Sequence, residues 1–141
     1  MRACRLALIG IASFAVFVPL AAPATKAESC RTRTRALVID LDNRRHARVL
    51  DHAWDAIRAG ESRFLHIDRE HARAHRRAAL RGIPTRRGYD RDEYPPAATE
   101  EGGAGADIRY VKSAENRSAG SLMGRQIRGW CDGQRFRFET P

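Results

Sequence analysis

Lysine is nearly missing from this 141-residue chain: Lys26 and Lys112 are the two present, and every other basic residue is arginine. A GC-rich genome would leave the same mark, yet arginine is also the better bidentate partner for phosphate. Cysteine is scarce, with three in all, and no second Cys pair completes a zinc or redox motif. There is no internal repeat and no long low-complexity linker, which excludes a solenoid and leaves one domain as the default for this length. The long apolar run, Leu6 to Leu20, is shorter than the roughly 20 residues an ordinary membrane span needs.

What is present at the start reads as an export leader. Arg2 and Arg5 form a charged first region, the apolar run follows, and Ala22-Pro23-Ala24 supplies small residues for cleavage. Residues 1–27 are assigned to this leader and 28–141 to the domain. The alternative is an uncleaved N-terminal anchor. Lys26 and Glu28 stand where a lipobox before Cys30 would need apolar or small residues, so a lipoprotein is not expected. The expectation is a secreted chain without membrane attachment after cleavage.

Removing the leader takes away Cys4 and leaves Cys30 and Cys131, one near each end. In an oxidising compartment a disulfide between them is the simplest reading, with two free thiols as the alternative. The bond would close a loop of about 100 residues, worth up to roughly 4.7 kcal/mol in the chain-entropy model. The leader carries three basic residues and no acid, so the domain keeps most of the formal charge of +9. A basic exported domain suits a polyanion: nucleic acid, wall polymer or anionic membrane.

Periodicity sketches an α+β domain. Ala36 to Leu41 reads as a buried strand. Leu50, Trp54 and Ile57 recur at helical spacing before Gly60. Asp68 is placed to cap a second, arginine-rich helix through Leu80, ended by Gly82 and Pro84. Asp90 to Pro95 is a dense acidic segment. Glu100 to Ala106 is a glycine-rich loop. Asp107 to Lys112 alternates as a strand, with Ile108 and Tyr110 opposite Arg109 and Val111. Ala119, Leu122, Met123, Ile127 and Trp130 share one helical face, and Phe136 and Phe138 mark a last strand. The order is strand, loop, strand, helix, with Glu115 and Asn116 at the helix start.

Phosphodiester hydrolysis needs an activated water, compensation of phosphate charge, and help for the departing oxygen. A hard divalent ion on carboxylate and amide ligands supplies much of this. A basic group takes the proton from water, and arginines hold phosphate oxygens. Residues 90–128 contain each ingredient: Asp90, Asp92, Glu93, Glu115, Asn116, Arg91, Arg117, Arg125 and Arg128. On spacing alone these acids could simply pair with the arginines. Their crowding in a basic protein favours a compensating cation, because closely spaced carboxylates repel.

The stretches Gly82-Ile83-Pro84-Thr85, Gly88-Tyr89-Asp90-Arg91-Asp92-Glu93-Tyr94-Pro95, Glu100-Glu101-Gly102-Gly103-Ala104-Gly105-Ala106, Arg109-Tyr110-Val111, Asn116-Arg117 and Ala119-Gly120-Ser121 carry a resemblance. In order and nearly without gaps, they resemble the secreted bacterial NucA/NucB deoxyribonucleases. Asp55 to Gly60 and Arg76-Arg77 also look like family positions, so the likeness spans about 52–139 around a motif core of 82–128. It implies an α+β fold: a small antiparallel sheet with helices, containing a ββα-metal motif. It implies that Asp92 replaces the general-base histidine of related nucleases and that Asn116 is a metal ligand.

By the same resemblance Asp90 and Glu93 occupy family positions, either at the metal, directly or through water, or holding Arg91. Glu93 is carried as a catalytic candidate and Asp90 as a metal candidate. Arg91, Arg117 and Arg125 are candidates for phosphate. Arg128 faces the phosphate or lies solvated on its helix. The cofactor implied is a divalent ion, Mg²⁺ or Mn²⁺. Two departures stand out: Thr99 and Leu65 occupy places where some members carry cysteine, and Arg125 stands where relatives have asparagine.

The remaining polar residues have plainer readings. His71 and His75 lie four apart without a third ligand, which suits a solvated helix. His46 and His52 say little, and His66 is ambiguous. Trp54 and Trp130 suit a core better than base stacking. Ser121 has no histidine base beside it in the motif, so it is not read as a nucleophile. The expected function is a secreted, metal-dependent, largely sequence-nonspecific DNA endonuclease acting as a monomer. A non-catalytic DNA- or polyanion-binding module is the alternative. A partner inhibitor protein is conceivable, and the sequence is silent on it.

Overall fold

A computed structural model describes residues 29–139. The expected leader, residues 1–27, lies outside the described residues. The elements are β1 (Leu37–Ile39), α1 (Ala47–Arg58), β2 (Leu65–His66), α2 (Ala72–Ala79), β3 (Tyr89–Tyr94), β4 (Asp107–Lys112), α3 (Ser113–Ile127) and β5 (Arg135–Phe138). They form an α+β domain with two small sheets, one ordered β1-β5-β2 and the other the β3-β4 hairpin.

Helix α1 forms because Val49, Leu50, Ala53 and Ala56 fall on one face and are buried together. Asp42 shapes the turn before it, its Oδ1 accepting the N–H groups of Arg44 and Arg45. Glu115 of α3 then accepts the N–H of Arg48 at 2.7 Å, satisfying a donor that the first helical turn leaves open. Gly60, with φ +116°, ends the helix.

Helix α2 starts at Ala72 rather than at Asp68. Asp68 spends its carboxylate on the N–H and ring of His71, closing a turn that delays the helix by several residues. No residue of α2 is buried, which agrees with its arginine-rich composition.

β3 and β4 pair antiparallel from Tyr89↔Lys112 to Tyr94↔Asp107. The connecting segment 95–106 folds tightly enough that a Cβ on Gly102 would lie 2.5 Å from the Pro96 carbonyl oxygen, so glycine is required there. On β4 the inward residue is Val111, at 2% exposure, while Ile108 and Tyr110 are half-buried. α3 follows β4 directly and packs Ala119 and Ile127 into the core. The helix stops at Ile127, so Trp130 lies beyond it. Trp130 still packs against the core and carries the Arg31 guanidinium 4.6 Å from its ring centroid.

Three features of the three-stranded sheet differ from the expected pattern. β1 runs parallel to β5, with Leu37 opposite Phe136. β2 is two residues long, too short to show alternation, and pairs with β5 antiparallel. The sheet is therefore mixed. Parallel neighbours need a long crossover, and here nearly the whole domain lies between β1 and β5. Phe136 and Leu65 are fully buried on this sheet, with Ile39 close behind, and Ile67 just past β2 is fully buried too. Ile67 also bridges to Thr99, so the segments carrying Leu65 and Thr99 lie side by side.

The Cys30–Cys131 disulfide is formed, with Cα atoms 4.9 Å apart and a sequence separation of 101. Backbone bonds from Arg31 to Gly129 and from Cys131 to Arg31 flank it. Among the described residues no helix is long and apolar enough to cross a membrane.

Candidate active site

The β3-β4 hairpin sends alternate side chains in two directions, as a strand must. Asp90, Asp92 and Tyr94 reach α3, α1 and the Ser62 carbonyl respectively. Arg91 and Glu93 reach the 82–88 lead-in and α2, through the Ile83 carbonyl and Arg76. The acidic run is therefore split into carboxylates with different partners.

Asp90 is fully engaged. Arg117 donates from Nε and Nη2 at 2.8 and 3.0 Å, and the Ser113 hydroxyl donates at 2.8 Å. The Arg117 guanidinium foremost, with the Ser113 hydroxyl, holds this carboxyl below the ordinary carboxylate range. The pair ties the first turn of α3 to β3, and it occupies both Asp90 and Arg117.

Glu93 is buried, its side chain 4% exposed. One oxygen meets Arg76 Nε at 3.0 Å. The other, Oε2, is buried without any hydrogen-bond partner. Burial pushes the carboxyl up from its ordinary value; Arg76 opposes that shift and neighbouring Asp92 adds to it. An unpaired buried carboxylate oxygen is costly unless a cation meets it.

Asp92 has one oxygen, Oδ2, 2.7 Å from His52 Nδ1. His52 is fully buried, and its Nε2 lies 3.1 Å from Asp107 on β4. This histidine was not singled out from the sequence. The available signal was its place three residues after Val49 and four before Ala56, on the buried face of α1, where a polar ring must find partners.

Two adjoining clefts open over these groups. One, of about 210 Å³, is lined by Asp90, Arg91, Asp92, Glu93, Asn116 and Arg117 among others. The second, of about 230 Å³, shares Asp90, Arg91, Glu93 and Asn116 and adds Thr85 from the lead-in and Tyr89 from the start of β3. Asp92 and Asn116 thus share a cleft, and Glu93 and Asn116 sit where the two clefts meet. Arg76 lines both.

Arg125 and Arg128 line neither cleft. Arg125 is exposed and donates to Ser121 Oγ, and Arg128 is exposed just past α3. His71 and His75 stack on each other, 6.0 Å between ring centroids, and hold Asp68 and the Ala97 carbonyl.

Residues 53–139, from α1 to β5, match the family model described as Deoxyribonuclease NucA/NucB. The chain belongs to the NucA/NucB deoxyribonuclease family. A curated relative, the "DNA-entry nuclease" of Bacillus subtilis (strain 168), is 40% identical over 94 residues, covering 67% of this chain and 64% of that protein. The chain therefore spans about 64% of the length of the relative it matches. Every residue of both clefts except Leu41 and Val49 lies inside the span matched to the NucA/NucB family.

The donor set of this NucA/NucB member fits a hard divalent ion that keeps much of its water. Among the described residues no group of three His, Cys, Asp or Glu side chains is placed to enclose a metal. An amide at Asn116 and the unpartnered oxygen of Glu93 offer few ligands of the right kind, the pattern of an ion completed by water and substrate phosphate.

Glu93→Gln should separate stability from function. A carboxyl raised in the folded chain favours its neutral form, so its cost is absent below the ordinary carboxylate range and grows as pH rises through it. In EDTA, Glu93→Gln is expected to unfold at a higher temperature than wild type at neutral pH. The gap should close as pH falls to about 4. Thermal unfolding followed by circular dichroism at both pH values checks this. An unchanged melting temperature at neutral pH would reject the reading of a strained, unpaired carboxylate.

Proposed function

We propose that this chain is a secreted endonuclease that hydrolyses phosphodiester bonds in DNA with little regard for sequence. The observation that carries the reading is the cleft shared by Asp92 and Asn116, beside the unpartnered Glu93 oxygen and walled by arginines. The family and the relative's printed name support DNA as the substrate. The charged and apolar start of residues 1–27 and the Cys30–Cys131 bond support export. Action as a monomer is part of this reading.

Asp92 is assigned the role of general base. It takes a proton from water, the hydroxide oxygen bonds to phosphorus, the ester P–O bond breaks, and the departing oxygen picks up a proton from solvent. Asn116 and Glu93 would hold a divalent ion, Mg²⁺ or Mn²⁺, whose charge polarises the phosphate and steadies the leaving oxygen. Arg91 and Arg76 line the cleft and meet the non-bridging phosphate oxygens. Asp90 and Arg117, engaged with each other, anchor α3 so that Asn116 faces β3.

The test is cleavage of supercoiled plasmid in Mg²⁺ or Mn²⁺, with EDTA and with an RNA substrate in parallel. Nicking and linearisation that EDTA stops are expected, with RNA cut more slowly. Tight retention of plasmid without cutting, in either metal, would instead make this a binding module. Substrate affinity should fall by an order of magnitude or more between about 50 and 200 mM salt, because phosphate contacts release counterions. Filter binding in EDTA measures it, and a salt-insensitive affinity would remove the arginines from the interface.

A further inference from the structure

His52 belongs to no part of the chemistry described so far, and it lies one residue outside the span matched to the family. Its ring is fully buried. Nδ1 meets Asp92 Oδ2 at 2.7 Å, and Nε2 meets Asp107 Oδ1 at 3.1 Å. The two aspartates stand on different strands of the hairpin, and the histidine comes from α1. Making both hydrogen bonds requires two N–H donors, or one N–H and one carboxylic O–H. Either way the ring has no freedom left to flip or tilt.

The consequence falls on Asp92. Its side chain is 16% exposed and lines the cleft, so one oxygen is tied down and the other is left to face the solvent side. A short acid on a strand would otherwise rotate about χ1 and χ2, and it could pair with a nearby arginine instead of water. Arg109, its cross-strand partner, is taken up by Asp55 of α1 at 2.8 Å. Helix α1 thus supplies both devices, a ring that aims Asp92 and a carboxylate that removes a competing cation.

We propose that His52, braced by Asp107, is a positioning residue that fixes the Asp92 carboxylate with Oδ1 directed to the attacking water. The logic is that of a base oriented by a third group, with the imidazole as the orienting member and the carboxylate as the base. The proposal rests on the reading of Asp92 as the base.

Isosteric variants separate aiming from mere packing. Asn places an N–H near the position of Nδ1, so His52→Asn keeps a donor for Asp92 and loses the Asp107 contact. Gln places its N–H near Nε2, so His52→Gln keeps the Asp107 contact and loses Asp92. With plasmid or duplex oligonucleotide in Mg²⁺, His52→Gln is expected to lower kcat by about 10- to 100-fold at unchanged KM, the cost of a misplaced reacting group. His52→Asn should recover most of that loss. Asp107→Ala is the third variant, chosen because its side chain is 45% exposed and its removal disturbs packing less than a change at the buried ring. It should lower kcat several-fold at unchanged KM, roughly as partial loss of orientation would.

Equal kcat losses in the Asn and Gln variants, or wild-type kcat in His52→Gln, would overturn the proposal. If the buried substitutions do not fold, wild-type kcat in Asp107→Ala overturns it instead. Asp92→Ala is run alongside. If that variant cuts normally, the base assignment has failed; if it is dead while His52→Gln is fully active, the positioning proposal alone has failed.

Discussion

Asp92→Ala is expected to cut plasmid about 100- to 10,000-fold more slowly than wild type, the range set by loss of a positioned general base. The expectation rests on how the three acids of the motif are spent. Asp90 is gripped by Arg117 and Ser113 and has no free oxygen to offer. Glu93 is buried with Arg76 on one side. Asp92 lines the cleft with one oxygen held by His52 and, unlike the buried Glu93, keeps part of its side chain open to solvent. Asp92→Asn tests the same point with less disturbance, since the amide keeps the size and can still meet His52. DNA affinity should hold or rise in both variants, because a negative charge that would repel phosphate leaves the cleft. Single-turnover cleavage, with binding measured separately in EDTA, reads the two effects apart. Wild-type cleavage by a folded Asp92→Ala protein would end the mechanism.

The second large effect falls on stability. Replacing both Cys30 and Cys131 by serine should lower the unfolding free energy by about 2–5 kcal/mol. The bond closes a loop with a sequence separation of 101, where the chain-entropy model gives up to about 4.7 kcal/mol. A domain of this size has little to spare, since typical folded chains are stable by roughly 5–15 kcal/mol. What remains to hold the N-terminal segment is modest: the Arg31 backbone pair, the Gln134 side chain on Arg33, and the three-residue pairing of β1 with β5. Urea denaturation of oxidised wild type and the double serine variant checks this. Activity per folded molecule should be unchanged, because neither cysteine lines the clefts. A midpoint equal to wild type would show that the core and sheet carry the N-terminal segment alone.

Much of the fold could be read from residue spacing. The apolar face of α1, the strand β4, the glycine loop before it and the helix after it depend on contacts two, three or four residues apart. The disulfide followed from counting cysteines after removal of the leader. The crowding of acids at 90–93 left two readings open, a compensating cation or pairing with arginines, and the resemblance to the family was what favoured a site there. What spacing could not show was the division of labour within that motif. Asp90 and Arg117 were separate candidates, for metal and for phosphate, and they proved to be partners across 27 residues. Arg125 and Arg128 follow the motif closely in sequence yet lie away from the clefts, because α3 carries them past the hairpin.

The chain's local patterns were therefore enough to indicate the class of fold and the hairpin–helix unit, since each depends on short-range periodicity and on side-chain types. Folding in three dimensions alone decided that β1 runs parallel to β5, that β2 exists, and that His52 stands between Asp92 and Asp107. Those pairings join residues from 40 to about 100 positions apart. Nothing local distinguishes a histidine destined for two carboxylates from one destined for solvent; burial beside them makes the difference.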